Sequence, residues 1–188
     1  NKYLDALSGI AVCGLGHSHP AITDALVNQS QVLSHCSNFF GIPNQEALAE
    51  KLCAISGMEQ AFFGNSGAEA NEAAIKIARL YGKNKGIKLP SIVVMENAFH
   101  GRTSAAVAAT DTPKIIAPLN AQQEVVFLDF GDEKGLSETL SKGDVCAVII
   151  EAIQGVGGLD MPTEKFMKQV EKSCREYDTC LIADEVQS

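Results

Sequence analysis

Apolar positions along the chain change their period several times, and each change marks an element. From Pro20 to about Leu33, apolar Ile22, Ala25, Leu26 and Leu33 fall on one side of a helix. A second helical stretch runs from Asn44 to about Ser56, carrying Ala47, Leu48, Leu52 and Ile55. Gly67 to about Tyr81 is an Ala-rich third, and Thr163 to about Tyr177 a fourth. Four continuous apolar, β-branched runs read as strands: Ser91 to Met95, Glu124 to Leu128, Val145 to Ile150, and 179–183. Gln60-Ala61-Phe62-Phe63 reads as a further short strand. Gly, Pro and charged punctuation separates the elements at 14–20, 41–44, 82–90, 131–135 and 141–144.

The strands lack polar alternation, so both of their faces are expected to be buried. Strands alternating with helices then predict an α/β fold, a largely parallel sheet with helices on both faces. In such sheets ligands collect at the carboxyl ends of strands. Ser66-Gly67, Asn97 to Phe99, Glu151 and Asp184 all fall at predicted strand ends.

Composition narrows the function classes. The chain has 188 residues, 46% of them hydrophobic and 20% charged, enough for one globular domain or part of a larger one. A formal net charge of −8 argues against nucleic acid or an anionic membrane as partner. A helix terminus can still bind a small anion against that global sign. None of the six cysteines (Cys13, Cys36, Cys53, Cys146, Cys174, Cys180) forms a C-x-x-C pair, which fits a reducing, cytoplasmic compartment. No run approaches the ~20 apolar residues of a membrane span. The chain opens on NKYLDALSG, which reads like the middle of an element, so an upstream leader stays open.

Each strand-end group has a bland reading and a chemical one. At Gly64-Asn65-Ser66-Gly67 a helix begins whose first N–H groups lack intrahelical partners. Gly67 and Ala68 leave room there for a phosphate; alternatively Ser66 and Glu69 form a capping box, and the two readings are compatible. Phe99 can stack on a flat ring or belong to the core. His100 beside it is a ligand, a stacking group or a polar loop residue, and Arg102 is expected to be a structural ion-pair partner. Glu151 ends an apolar strand before Gly155, Gly157 and Gly158, as a ligand group or a satisfied carboxylate in a turn. Asp184 follows a buried strand with no Lys or Arg near it in sequence; a protonated ring nitrogen would supply its counter-charge. Together these describe a ligand with a phosphate at one edge, a flat ring, and a basic ring nitrogen at the other edge. Pyridoxal 5′-phosphate has that shape.

With those residues in place, the chain resembles the class III aminotransferases of the pyridoxal-phosphate fold type I, nearest the acetylornithine/ornithine group. The segments LSGIAVCGLGHSHP, LSHCSNFFGIPNQEALAEKL, NSGAEANEAAIKIAR, AFHGRT, EAIQGVGG and ADEVQS carry the likeness over essentially the whole chain. The resemblance implies that Ser66, Gly67 and Ala68 hold the cofactor phosphate. It implies that Phe99 stacks on the ring with His100 beside it, and that Asp184 pairs with the pyridine nitrogen. Gln187 would approach the phenolic oxygen, Glu151 would serve the reactive and substrate side, and Ile10 would sit toward the substrate. It further implies residues 1–40 as an amino-terminal segment and 41–188 as the first part of the cofactor-binding large domain. Amino transfer from N-acetylornithine to 2-oxoglutarate in a cytoplasmic homodimer of arginine biosynthesis follows, with ornithine or 4-aminobutyrate as alternative donors.

Two departures stand out. Val156 replaces an acidic residue of many members, which bears on the substrate. The family's Schiff-base lysine follows the DEVQ motif by a few dozen residues, so its absence here marks the chain as an expected fragment, inactive alone. A non-catalytic scaffold of the same fold is one rival reading. A metal module built on His17, His19, His35 and Cys36 is the other, although their spacing matches no zinc pattern.

Overall fold

The computed structural model describes residues 1–118, 120 and 124–187. Two compact units are present, Asn1–Phe62 and Phe63–Ser188. The first unit holds a short turn of helix, α1 (Ser8–Ala11), and two longer helices, α2 (Pro20–Val32) and α3 (Pro43–Ser56). Both longer helices start on a proline, whose missing N–H costs nothing in a first turn. Neither buries a residue. Within this unit the Asn44 amide donates to Gln29 Oε1 at 2.7 Å.

The second unit is built on a four-stranded, all-parallel sheet in the order β2-β1-β3-β4. Its strands are β1 (Ser91–Met95), β2 (Val125–Leu128), β3 (Val145–Ile150) and β4 (Cys180–Ala183). Every residue of β1 and β3 is buried, as the unbroken apolar runs require of central strands. The edge strands β2 and β4 are only partly covered.

Helices α4 (Gly67–Asn84) and α5 (Ser104–Ala108) cover one face of the sheet; α6 (Glu133–Leu140) and α7 (Glu164–Glu176) cover the other. Val93 and Met95 of β1 pack with Leu136, Leu140, Phe166 and Val170, while Ile92 and Val94 pack with Ile75, Ala78 and Ala105. In β3 the parity breaks, because Cys146 and Ala147 both face the α4 side. The cause is a register shift in which Ser91 pairs with Val145 but Ile92 with Ala147, inserting one extra residue into β3.

Two expectations are corrected. Residues 60–63 form no strand: an extended segment needs a neighbour's backbone to make a ladder, and none of the described residues pairs with it. Helix α6 lies partly inside the charged stretch 131–135, which reads as a break. Asp132 caps it, accepting the Gly135 N–H at 2.8 Å, and Leu136 and Leu140, one turn apart, anchor it in the core. All six cysteines are free thiols, and burial pushes Cys146 up to about 11 and Cys174 up to about 12, so both stay protonated. Among the described residues no helix is long and apolar enough to cross a membrane, and no group of three or more His, Cys, Asp or Glu could hold a metal ion.

Candidate active site

Parallel strands bring their carboxyl ends to one edge of the sheet, and the loops after β1, β3 and β4 meet there with the start of α4. One cavity of about 290 Å³ lies at that edge, walled by Gly67, Ala68 and Asn71 of α4, by Phe99 to Arg102, by Glu151, and by Asp184, Val186 and Gln187.

Helix α4 begins on a variant of the capping box, in which the Glu69 carboxylate reaches one residue beyond the N-cap Ser66. Ser66 Oγ accepts the Glu69 N–H at 3.2 Å, and the Glu69 carboxylate returns to the Asn65 N–H. The Ser66 carbonyl takes the N–H of Ala70 at 3.1 Å. Gly67 and Ala68, the first two helical residues, keep N–H groups that the helix itself does not bond, at the positive end of an 18-residue helix. Both line the cavity; Ser66 is not part of that lining, and its exposed hydroxyl is engaged in the cap. A methyl at Gly67 would stand 2.8 Å from both methyls of Val186, so only glycine fits beneath that side chain.

The segment after β1 is fixed at almost every polar atom. The Phe99 N–H donates to Glu151 Oε1 at 3.0 Å. The His100 N–H donates to Thr110 Oγ1 at 2.9 Å, and the His100 carbonyl accepts from Asn71 Nδ2 at 2.9 Å. Gly101, at φ +129°, lies against α4: a Cβ there would stand 3.0 Å from the Ala68 Cβ and 3.1 Å from the Ala106 Cβ. Glu72 of α4 accepts the N–H groups of Ala105 and Ala106 at 2.7 and 3.1 Å, tying the start of α5 to the same helix. Phe99 is half-buried on the cavity wall.

Asp184 is 7% exposed and sits at the opposite end from the helix start in sequence. Its Oδ2 receives His100 Nδ1 at 2.7 Å and Asn71 Nδ2 at 2.8 Å, and its Oδ1 receives the Val186 N–H at 3.2 Å. Burial alone would raise this carboxyl; the bonds from His100, Asn71 and Val186 outweigh it and hold it below the usual range. Each hydrogen bond to a charged group is worth about 1.5–3 kcal/mol, enough together to offset the several kcal/mol of desolvation. Glu151 goes the other way. Burial raises it, assisted by the charge of Asp184, although the N–H groups of Phe99 and Gly155 and the nearby His100 pull it down. One cavity thus holds a carboxylate kept ionised and a carboxyl kept protonated more readily, an arrangement that separates acid from base roles.

Gln154 reinforces the edge. It is 1% exposed, its Nε2 donates to the Glu96 carbonyl at 2.8 Å, and its backbone pairs with Asp160 across the glycine turn. Gln187 packs beside Gly155. Ile10 lies in the first unit, where it is 65% exposed.

Arg102 departs from expectation. It is exposed on the cavity wall and makes no ion pair among the described residues. Asn71 was legible in the NSGAEAN segment only as part of a helix. The signal for it is spacing: Asn71, Ile75, Ala78 and Gly82 share one buried stripe, and a polar residue on such a stripe requires a partner.

The residues fit pyridoxal phosphate. Unbonded N–H groups at a helix start suit its phosphate, the half-buried Phe99 ring suits its face, and the ionised Asp184 suits a protonated ring nitrogen.

Comparison with known proteins agrees. A family profile described as Aminotransferase class-III matches residues 1–188. An acetylornithine aminotransferase of Nitrosomonas europaea is 46% identical over 189 residues, covering 100% of this chain and 48% of that protein. The ornithine aminotransferase of Toxoplasma gondii ME49 superposes with a TM-score of 0.93 at 30% identity, covering 100% of this chain and 46% of its own. The N-acetylornithine aminotransferase of Stenotrophomonas maltophilia K279a gives a TM-score of 0.83 at 37% identity, with 98% of this chain and 46% of that one covered. The chain spans about half the length of the curated relatives it matches.

Proposed function

The chain belongs to the class III aminotransferases, and from that membership and the geometry above we propose that the whole protein moves an amino group from N-acetylornithine to 2-oxoglutarate with pyridoxal phosphate. The observation that carries the reading is the single cavity shared by the start of α4 and the carboxylate of Asp184. Pyridoxal phosphate supplies an electron sink for a carbanion formed next to the migrating nitrogen. The chain's own residues hold and polarise. The N–H groups of Gly67 and Ala68 bind the phosphate. Phe99 covers one ring face, and Gln187 reaches the phenolic oxygen. Asp184 keeps the ring nitrogen protonated, which deepens the sink. Glu151 serves the substrate side, where its readiness to carry a proton suits an amine or an acid group. Arg102, which makes no ion pair among the described residues, offers its guanidinium to a substrate carboxylate, a fork-shaped match. The lysine that the resemblance implies, and the partner subunit of a homodimer, are proposed to lie outside these residues. Arginine biosynthesis and a cytoplasmic location complete the reading.

A second donor, ornithine, is favoured by the structural likeness to the Toxoplasma gondii enzyme. Assay of the whole protein with N-acetylornithine, ornithine and 4-aminobutyrate, each against 2-oxoglutarate, decides the donor. In the same assay Asp184→Ala is expected to abolish the visible colour of the bound cofactor and the transfer; full activity in that variant refutes the pairing.

A further inference from the structure

We propose that Asn71 is a positioning residue for the cofactor's nitrogen end, acting through Asp184 and His100; the inference rests on the reading of Asp184 as counter-charge. Three side chains from distant parts of the chain close a ring of hydrogen bonds. Asn71 Nδ2 donates to the His100 carbonyl at 2.9 Å and to Asp184 Oδ2 at 2.8 Å, and His100 Nδ1 meets the same Oδ2 at 2.7 Å. Asn71, His100 and Asp184 are 6%, 2% and 7% exposed.

The chemistry of the partners fixes the orientation of the amide. A carbonyl and a carboxylate are both acceptors, so the NH₂ group of Asn71, and not its oxygen, faces them. Both of its protons are then engaged. The same logic fixes His100. Asp184 is held ionised and an ionised carboxylate only accepts, so the proton between Oδ2 and the imidazole sits on Nδ1. His100 Nε2, on the far side of the ring, is buried with no hydrogen-bond partner among the described residues. Asn71 therefore does two things at once. It holds the Asp184 carboxylate in plane and ionised, and it holds the His100 backbone, so that Phe99 and Gly101 on either side keep their places on the cavity wall. The titratable groups facing Asp184 are His100 and Glu151; Arg102 stands on the same cavity wall, and Glu185 follows in sequence.

The test uses the whole protein and pyridoxal phosphate. Asn71→Ala removes both donors. Asn71→Asp keeps the shape but places an anion against Asp184. Cofactor affinity is expected to fall roughly tenfold in the first, the size of one lost hydrogen bond to a charged group, and further in the second. The acid limb of cofactor affinity is expected to move to higher pH in both, because Asp184 loses a donor that favours its charged form. Nitrogen-15 spectra of wild-type protein are expected to show His100 protonated at Nδ1. Asn71→Asp binding pyridoxal phosphate within twofold of wild type overturns the proposal, since a space-filling role would survive that isosteric change. An Nε2–H tautomer in the wild type overturns it too, and needs no variant to fold. Asp184→Asn separates the two claims. If it keeps wild-type affinity, the counter-charge reading fails. If it loses affinity while both Asn71 variants do not, only the positioning role fails.

Discussion

Glu151 Oε1 accepts the backbone N–H of Phe99 at 3.0 Å, across two neighbouring strand ends. The contact gives the ring-facing segment a fixed support, and it also holds a carboxyl in a place where burial disfavours its charge.

Glu151→Gln should therefore be more stable than wild type at neutral pH in the cofactor-free protein. The folded-state pKa of Glu151 lies above its ordinary value of 4.5, so the charged form costs stability as pH rises through the folded value. Glutamine keeps an oxygen for the Phe99 N–H and carries no charge. The advantage should vanish below about pH 4, where both forms are neutral in folded and unfolded chains. Urea midpoints at neutral and acid pH check it. Asp184 has the opposite sign: its contribution is complete above the ordinary value of 3.8 and is lost as pH falls through the lower folded value.

Gly67→Asp should weaken pyridoxal phosphate binding by about tenfold or more, by setting a carboxylate where the phosphate is held. Its Cβ also meets the Val186 methyls at 2.8 Å. Equilibrium dialysis measures the effect. Unchanged affinity would mean that the Ser66–Glu69 box only caps α4.

Gly101→Ala should lose about 2 kcal/mol of stability, since it combines an unfavourable backbone angle with overpacking. The added methyl would press on Ala68 and Ala106 at 3.0 and 3.1 Å. A lower urea midpoint at unchanged m-value is the expected result.

Arg102→Ala should raise KM for the carboxylate-bearing substrates by at least roughly tenfold, the usual size of a charge-assisted pair, with folding unaffected. Its side chain is exposed and makes no ion pair among the described residues. Lysine should rescue only part, since it keeps the charge but not the fork. Equal KM values in steady-state assays would remove Arg102 from substrate binding.

Continuous apolar runs made β1 and β3 plain, because central parallel strands bury both faces and leave no other pattern. Helical spacing did the same for α2 and α3, although Pro43, which reads as part of a break, already belongs to the first turn of α3. Helix α6 was hidden because its capping residues, Asp132 and Gly135, are also turn residues. Residues 60–63 misled because β-propensity does not say whether a partner strand exists. In the site, residue types pointed to an anion end and a cation end. The sharing of Asp184 Oδ2 by His100 and Asn71 was not legible, since it joins residues that only the folded sheet brings together.

The Asn71–Asp184 bond links positions 113 residues apart. During synthesis the helix start and the aromatic loop leave the ribosome long before that aspartate does. The nitrogen end of the proposed site can therefore be assembled only once β4 has docked beside β3, which makes closure of the sheet a precondition for that half of the site.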